Sequence, residues 1–484
     1  MDELAFSDAT TLAAKIQAKE ISSLELLEHY LSRVEKYNPE INAVVCEQAG
    51  KARDRAVKAD EALARGESWG PLHGVPMTVK ESYNIAGLPT TWGDPALKDN
   101  IAQEDAVACQ RLQQAGAVIF GKTNVPINLA DFQSYNEIYG TCGNPHDLTR
   151  TPGGSSGGSA AAMAAGLSGL EMGSDIGGSI RNPAHYCGVF GHKPTWNILP
   201  MRGHAKPGVL TPSDISVIGP LARSAEDLAL VMAIVGGADD LHVPGWKLEL
   251  PAPAKPVSAM RIAVWLDDSV APVDQAMSER VMKVAEFARD AGATLDFDAR
   301  PAFDPAESHR IYENLLHSAM SARLPGAEFE KAWDRRQSLS EGDDSELARV
   351  TRASTLFYRE WHEINEKRTH LRWKWHEFFK EYDLLLTPMC VTSAFPHDQN
   401  PKMSERLLVV NNEPRPYFEQ VFWAGLTGVS YLPSTVVPTG PDSQGLPVGV
   451  QIVGGEMRDL VTIEFARAVH AELGGFVPAT AYRD

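Results

Sequence analysis

The 484-residue chain lacks any apolar run of the roughly 20 residues that a bilayer-spanning helix needs. Its start, Met1-Asp2-Glu3, also lacks the basic residues of a secretory signal, and no apolar stretch of about 7–15 residues follows it. Both absences argue against membrane insertion and export. We therefore expect a cytoplasmic protein without a membrane partner.

Cysteine is scarce, and no two cysteines stand in a CxxC spacing. The five cysteines lie far apart, at positions 46, 109, 142, 187 and 390. An odd, scattered set in a chain of this length is typical of reduced thiols, and not of a disulfide framework or a zinc site. The HExxH spacing of zinc hydrolases is absent as well. We predict no metal and no cofactor.

Positive charge is in deficit. The chain has 45 lysines and arginines against 63 aspartates and glutamates, which gives a formal net charge of −18. A surface this acidic disfavours phosphate backbones and anionic lipids, so we expect no nucleic-acid partner. Apolar residues make up 43% of the chain and charged residues 22%, as in an ordinary globular protein.

Predicted helices alternate with short apolar strands along most of the chain. Ser22 can cap a helix over 24–37, where apolar residues recur at helical spacing, and 383–389 is typical of a buried strand. This alternation predicts an α/β fold with a mixed sheet. Residues 305–382 are rich in aromatic and charged residues at helical spacing, and we interpret them as a helical insertion over one side of the core.

Glycine and serine, in contrast, are concentrated between Thr151 and Thr195. The segment begins with four glycines around three serines: Gly153, Gly154, Gly157 and Gly158 with Ser155, Ser156 and Ser159. Ser179 follows Gly177 and Gly178, 24 residues after Ser155, and a helix of small residues is predicted between the two. Two Gly-Gly-Ser elements so arranged predict a hydrolytic site with paired serines. No GxxxxGK[ST] occurs in the segment and no GxGxxG follows a strand, which argues against a phosphate loop.

A serine hydroxyl needs a base, because it is a poor nucleophile at neutral pH. His185 and His192 lie near Ser179 in sequence, but packed loop histidines would look the same, and no GxSxG nucleophile elbow is present. A lysine can serve if burial holds it neutral. Lys80 ends the apolar run 75–79 and suits this role, and Lys122 in FGKTN is its competitor.

Several segments together resemble the amidase signature family. They are GVPMTVKES, FGKTNVPI, PGGSSGGSAAAMAAGL, GSDIGGSIRNPAHYCGVFGHKPT, IGPLARS, LLLTPM and GLPVGVQIVG. The likeness spans roughly residues 5–475. It implies a single large domain over 1–484 with a central twisted mixed β-sheet flanked by helices. The signature core would occupy about 70–225, and a variable helical region at about 300–382 would cap the active site.

The resemblance also implies a Ser–cis-Ser–Lys triad. Ser179 is then the nucleophile, Ser155 the bridging serine in a cis peptide, and Lys80 the neutral base. Four backbone N–H groups would stabilise the oxyanion, those of Ile176, Gly177, Gly178 and Ser179. The residues implied to support the site are Gly154, Ser156, Asp175 and Arg181. Cys187 is a rival nucleophile, but its apolar setting is typical of an inert thiol.

The resemblance leaves the substrate open, because family members cleave very different amides. We expect a serine-dependent amidase for small aryl or aliphatic amides or anilides, with esters and carbamates as further substrates. Such an enzyme would be similar to an aryl acylamidase or a urethanase and would act as a monomer or homodimer. Candidate pocket residues are Tyr135, Asn136, Tyr139, Phe422 and Trp423.

Two alternatives belong to other classes. One family member is the glutaminase subunit of the tRNA amidotransferase, but after KPT this chain continues as WNILPMRGH, unlike the continuation associated with that subunit. A non-catalytic relative used as a binding module would be expected to have lost Lys80, Ser155 or Ser179. All three are present.

Overall fold

The computed structural model describes residues 2–322 and 324–483. The helices are α1 (Asp2–Phe6), α2 (Ala9–Gln17), α3 (Ser23–Ile41), α4 (Ala49–Ala64), α5 (Val107–Gln114), α6 (Gly157–Ala164), α7 (Arg181–Cys187), α8 (Ala225–Val235), α9 (Gln275–Asp290), α10 (Pro305–Ser321), α11 (Gly326–Ser338), α12 (Glu346–Ser354), α13 (Tyr358–Glu381), α14 (Val421–Gly428) and α15 (Asp459–Leu473). The strands are β1 (Val44–Glu47), β2 (Pro76–Lys80), β3 (Val118–Thr123), β4 (Tyr135–Asn136), β5 (Gly140–Thr141), β6 (Glu171–Asp175), β7 (Phe190–Lys193), β8 (Val217–Ala222), β9 (Arg261–Val264), β10 (Thr294–Asp296), β11 (Leu384–Pro388), β12 (Leu407–Val410), β13 (Glu413–Pro416), β14 (Ser434–Pro441) and β15 (Pro447–Val453).

An eight-stranded mixed sheet forms the centre of the molecule, in the order β10-β9-β11-β15-β14-β7-β8-β6. Strand β9 pairs in parallel with β10 and β11, and the other neighbours are antiparallel. Helices α8, α9 and α15 contribute mainly to one buried apolar cluster, and α7, α10 and α14 to a second. The predicted α/β fold, a mixed sheet flanked by helices, is confirmed.

Strand β11 shows why the sheet carries a core on each face. Leu384 and Leu386 belong to the first apolar cluster, whereas Leu385 belongs to the second. Successive side chains of a strand point to opposite faces, so a strand covered on both sides must be apolar at every position. The run 384–386 was predicted as a buried strand for this reason.

A separate three-stranded sheet, β1-β3-β2, carries Lys80 to the edge of the large sheet. The N–H of Thr78 in β2 donates to the Leu170 C=O at 3.4 Å and to Ser168 Oγ at 2.9 Å, which places β2 beside the start of β6. Every residue of β2 is buried. The last side chain of this strand, Lys80, is therefore removed from solvent together with the strand.

Helix α6 lies between the two Gly/Ser elements and packs closely against its neighbours. All eight of its residues are buried. A Cβ at Gly158 would come within 2.7 Å of the Asn124 carbonyl oxygen, so the first turn of α6 tolerates no side chain there. This close approach fixes the serine loop that precedes the helix.

The middle of the chain is helical, as predicted, and consists of α10, α11, α12 and α13. Helix α10 packs against α12, α13 and α14. Helix α11 contributes no buried residue, so it lies on the surface of this layer. The hairpin β12–β13 follows and was not predicted. Within residues 2–322 and 324–483, none of the helices combines the length and apolar character required to cross a membrane.

Candidate active site

Lys80 ends β2 with its side-chain nitrogen among three hydroxyl groups. Nζ lies 2.7 Å from Ser155 Oγ, 2.9 Å from Ser156 Oγ and 3.0 Å from Ser174 Oγ. The side chain is fully buried, and no described carboxylate lies within 4.0 Å of Nζ. Burial lowers the pKa of Lys80 well below its ordinary value, and more distant carboxylates offset this effect only in part.

The loop before α6 presents Ser155 to Lys80. The peptide bond between Gly154 and Ser155 is cis, as the family resemblance implied. The N–H of Gly154 donates to Asn182 Oδ1 at 3.1 Å, and Ser156 Oγ accepts the N–H of Ser174 at 3.3 Å. The structure thus brings Gly154, Ser155 and Ser156 together with Lys80, although they lie more than 70 positions apart in the chain.

Gly154→Ala is expected to destabilise the fold and to reduce turnover. A Cβ at Gly154 would stand 2.7 Å from the Gln133 nitrogen and 2.8 Å from the Phe132 carbonyl carbon, which are backbone atoms that cannot rotate away. Overpacking of this kind costs about 1–3 kcal/mol. Thermal unfolding monitored by circular dichroism should show the loss as a lower melting temperature.

The matched control is Gly50→Ala in α4. Nothing lies within 4 Å of a Cβ at Gly50, and alanine is favoured over glycine in a helix by about 0.5–1 kcal/mol. Gly50→Ala should therefore melt at or above the temperature of the unchanged protein. Equal melting temperatures for the two variants would contradict the close approach at Gly154.

Ser179 lies in the loop between β6 and α7 and borders the same site. Its side chain is 7% exposed, and its C=O accepts the N–H of Ser156 at 3.1 Å, which joins the two Gly/Ser elements. In the described part of the chain, the Ser179 hydroxyl makes no hydrogen bond. The step between the Ser155 and Ser179 hydroxyls thus needs a closer approach than the structure shows.

The backbone N–H groups of the loop 176–179 are not equivalent. The N–H of Gly178 donates to Asp175 Oδ1 at 2.8 Å, whereas those of Ile176, Gly177 and Ser179 make no hydrogen bond to any described residue. An amide already paired with a carboxylate has little capacity left for an oxyanion. Of the four predicted oxyanion donors, Gly178 therefore differs from the expectation, and three are unpaired.

Asp175 and Arg181 form a fully buried ion pair with 2.9 Å between Oδ1 and Nη2. Nη1 of Arg181 also donates to Ala424 O, Thr427 Oγ1 and Gln451 Oε1, at 3.2, 2.8 and 2.7 Å. Burial alone would raise the pKa of Asp175, but the guanidinium and the N–H donors lower it to about 2. The pair holds the loop of Ser179 against α14 and β15.

The other candidate bases and nucleophiles do not reach this site. His185 and His192 are fully buried, and each ring is hydrogen-bonded through both nitrogens to groups outside the Gly/Ser loops. Lys122 donates to the Pro89 carbonyl and to a neighbouring threonine hydroxyl. Cys187 is buried, and burial raises the pKa of its thiol well above the ordinary value.

A cavity of about 440 Å³ borders Ser179. Ser155, Ser174, Ile176 and Ser179 line it on the side of the hydroxyl groups. The rest of the wall comes from residues within 92–94, 128–130, 201–216 and 317–328, together with the end of α12. The helices of the middle region therefore contribute directly to the wall.

None of the five residues predicted for the pocket lines this cavity. Phe422 and Trp423 are buried in the core of α14, and Asn136 donates to the Asn124 side chain. The hydroxyl of Tyr139 donates to Glu81, and that of Tyr135 accepts from Arg406. These residues brace the neighbouring loops, and their bulk in the sequence gave no sign of the direction in which they point.

Sequence reasoning missed the apolar wall itself. Trp92, Leu129, Met201, His204 and Met320 line the cavity. The backbone of Trp92 has a φ of 57°, an uncommon conformation for a bulky residue and one that often marks a functional site. The sequence signal for 201–204 was the PMRGH element, which was noted only as a family feature.

Buried Glu81 anchors the Trp92 segment. Its carboxylate accepts the N–H of Thr91 at 2.6 Å and the N–H of Trp92 at 2.9 Å. Glu81 directly follows Lys80, and adjacent side chains of an extended backbone point in opposite directions. One strand end therefore positions both the lysine and one wall of the cavity.

Comparisons with known proteins agree over nearly the whole chain. The family model described as Amidase matches residues 25–462. The chain is 32% identical to a glutamyl-tRNA(Gln) amidotransferase subunit from Anaeromyxobacter sp. (strain K), over 95% of either chain. It is 31% identical to the indoleacetamide hydrolase of Bradyrhizobium diazoefficiens, covering 96% of this chain and 86% of the relative. The solved structure of a bacterial aryl acylamidase has a TM-score of 0.82 and covers 99% and 98% at 24% identity, which is a likeness of fold.

Proposed function

Because the chain belongs to the Amidase family of amide hydrolases, we propose that it is a free-standing enzyme that cleaves small amides through an acyl-enzyme on Ser179. The observation that carries the proposal is the buried Lys80 nitrogen, 2.7 Å from Ser155 Oγ and beside the cavity that Ser179 lines. A lysine placed so is suited to act as a base, and no carbon–nitrogen bond cleavage at a serine is possible without one.

The surroundings of Lys80 favour its neutral form. A protonated Lys80 would be a buried cation without an anionic partner, which costs several kcal/mol. A neutral amine has two N–H groups and one lone pair. The three hydroxyls around Nζ match this set if Ser156 and Ser174 accept and Ser155, at the shortest distance, donates to the lone pair.

The reaction then follows from this arrangement. Lys80 takes the proton of Ser155, Ser155 takes that of Ser179, and Ser179 Oγ bonds to the carbonyl carbon. The unpaired N–H groups of Ile176, Gly177 and Ser179 stabilise the oxyanion. The proton returns along the same path to the leaving nitrogen as the carbon–nitrogen bond breaks. Water, deprotonated by the same relay, then attacks the acyl-enzyme and releases Ser179.

The cavity supports small substrates with an aryl or compact aliphatic group. Its volume of about 440 Å³ is at the lower end for ligand sites, and Trp92, Leu129, Met201 and Met320 give it an apolar wall. Anilides and primary aryl amides fit this description. Esters and aryl carbamates present the same carbonyl to Ser179, so we include both, as for an aryl acylamidase or a urethanase.

The second candidate is the glutaminase subunit of a tRNA amidotransferase, because relatives with that name are about as similar as the indoleacetamide hydrolase. Free glutamine carries an ammonium and a carboxylate that need charged partners. The charged groups of the cavity wall are partly engaged: Lys206 lies 3.7 Å from Asp94, and Arg202 binds Asp239 and Asp240. This pairing favours an uncharged substrate.

The proposal is tested with the isolated chain on a substrate panel. The panel consists of benzamide, 4-nitroacetanilide, an aryl carbamate, indole-3-acetamide, glutamine and a long-chain fatty amide, with products followed by mass spectrometry. We expect turnover of the aryl compounds and little or none of glutamine and the fatty amide. Turnover of glutamine alone, or of nothing until other subunits are added, would overturn the free-standing assignment in favour of the amidotransferase role.

A further inference from the structure

Tyr312 joins the helical middle region to the loop of Ser179. The residue lies in α10 and is fully buried, and its hydroxyl donates to the C=O of Ile176 at 3.0 Å. Burial raises the pKa of Tyr312, so the hydroxyl keeps its proton at any working pH. None of the signature motifs contains this residue, and it does not line the cavity.

The bond at Ile176 acts on the N–H of the next residue. The C=O of Ile176 and the N–H of Gly177 belong to one planar trans peptide, in which they point in opposite directions. Fixing the carbonyl therefore fixes the direction of the Gly177 N–H. A hydrogen bond accepted by a peptide carbonyl also polarises the peptide and strengthens its N–H as a donor.

The Tyr312 ring has little freedom to move. A Cβ at Gly425 in α14 would stand 2.6 Å from the ring carbon Cε1, so the ring packs directly on the backbone of that helix. On its other side the hydroxyl lies 3.0 Å from the position that a Cβ of Gly177 would occupy. Only glycine at 177 and 425 leaves room for this contact.

The loop is thus held at two consecutive peptides by different groups. Tyr312 holds the carbonyl of Ile176, and Asp175 accepts the N–H of Gly178. Between these two fixed points lies the Gly177 N–H, which has no partner among the described residues. A donor that is fixed in direction and unpaired is what an oxyanion site requires, because it needs no reorganisation during the reaction.

We propose that Tyr312 is a positioning residue for the oxyanion site: it orients and polarises the Ile176–Gly177 peptide so that the Gly177 N–H stabilises the tetrahedral intermediate. This inference rests on the proposed acyl-enzyme mechanism. Tyr312 acts through the backbone and touches no substrate. Its loss should therefore weaken the binding of the transition state and leave the binding of the substrate nearly unchanged.

The test is Tyr312→Phe, which removes the hydroxyl and keeps the ring. Loss of a whole oxyanion donor costs about 10²–10³-fold in kcat, so loss of its orientation should cost roughly 10–100-fold, with KM changed by less than about threefold. An aryl boronic acid, which forms a tetrahedral adduct with a serine, should bind more weakly by a similar factor. The acid limb of the pH profile should not move, because Lys80 is intact.

Tyr30→Phe is the matched control. Tyr30 is also fully buried, and its hydroxyl lies 3.5 Å from the carbonyls of Leu4 and Ala5, far from the site in the fold. Its kcat should equal that of the unchanged enzyme. If Tyr312→Phe does not fold, 3-fluorotyrosine at position 312 gives a more acidic hydroxyl of nearly the same size, and boronic acid binding should then tighten.

The outcomes distinguish a failure of the Tyr312 role from a failure of the mechanism. Unchanged kcat and boronic acid affinity in folded Tyr312→Phe, or a loss carried by KM alone, would overturn the role of Tyr312. An unchanged affinity in the fluorotyrosine protein would do the same. If the boronic acid does not bind Ser179 even in the unchanged enzyme, the acyl-enzyme mechanism itself fails. A loss confined to kcat and boronic acid affinity supports the inference.

Discussion

Ser179→Ala should abolish amide hydrolysis while the protein stays folded. The variant removes the one oxygen that can form the acyl-enzyme and leaves Lys80, Ser155 and the N–H donors in place. Removing a nucleophile from a serine hydrolase lowers kcat by roughly 10⁴–10⁶-fold. Substrate binding should change little, because the Ser179 hydroxyl makes no hydrogen bond in the described chain and contributes little to the cavity wall.

Two measurements check this expectation. Turnover of 4-nitroacetanilide gives the rate, and a fluorophosphonate probe followed by intact-mass spectrometry reports covalent labelling of the nucleophile. Ser430→Ala is the control, since Ser430 is also fully buried and its hydroxyl has no hydrogen-bond partner in the structure. Labelling of Ser179→Ala at the normal rate, or turnover well above the uncatalysed reaction, would place the nucleophile on another residue.

Lys80→Met should be nearly as damaging, and Lys122→Met should not. Both lysines are fully buried, and methionine replaces the stem of each without its charge. Only Lys80 lies within hydrogen-bond distance of Ser155, so its loss removes the base and should lower kcat by roughly 10³–10⁵-fold. Lys122 binds the Pro89–Thr90 backbone region, so its loss should lower the melting temperature and spare most of the activity. The reverse order would show that Lys122 is the base.

The pH dependence gives a second signature of Lys80. Because only the neutral amine can accept the proton, kcat/KM should fall as the pH drops through the lowered pKa of Lys80. Between that pKa and the ordinary lysine value, the unfolded chain binds more protons than the folded one. The free energy of unfolding therefore rises with pH through this window, and Lys80→Met should lose that part of the slope. An activity profile that stays flat on the acid side would contradict a neutral lysine.

The sequence predicted the residues of the reaction well, because their chemistry demands rare local patterns. Two Gly-Gly-Ser elements flanking a helix of small residues have few structural uses, and the end of an apolar strand placed Lys80 in the interior. In the structure Ser155 and Ser156 meet Lys80 as the family resemblance implied. The roles of these groups in catalysis await the variants described above.

The cavity wall could not be predicted in the same way. Trp92 reaches it only through a backbone conformation of positive φ, which no local pattern announced. Met320 comes from a helix more than 100 residues beyond Ser179 in sequence, in a region where aromatic residues mostly fill the core. Likewise, the capture of the Gly178 N–H by Asp175 depends on a turn of three residues whose geometry the sequence does not specify.

The two sides of the cavity differ in how freely they can change over evolutionary time. The Trp92 side is tied through Glu81 to the strand end that carries Lys80, so a substitution there disturbs the chemistry along with the fit. The opposite side, beyond Tyr312, runs from the end of α10 into α11, a surface helix without a buried residue. New substrates can be accommodated by replacing residues such as Met320, Leu324 and Glu328 with little effect on the reacting groups. Mutant libraries that aim to broaden the substrate range belong on that side.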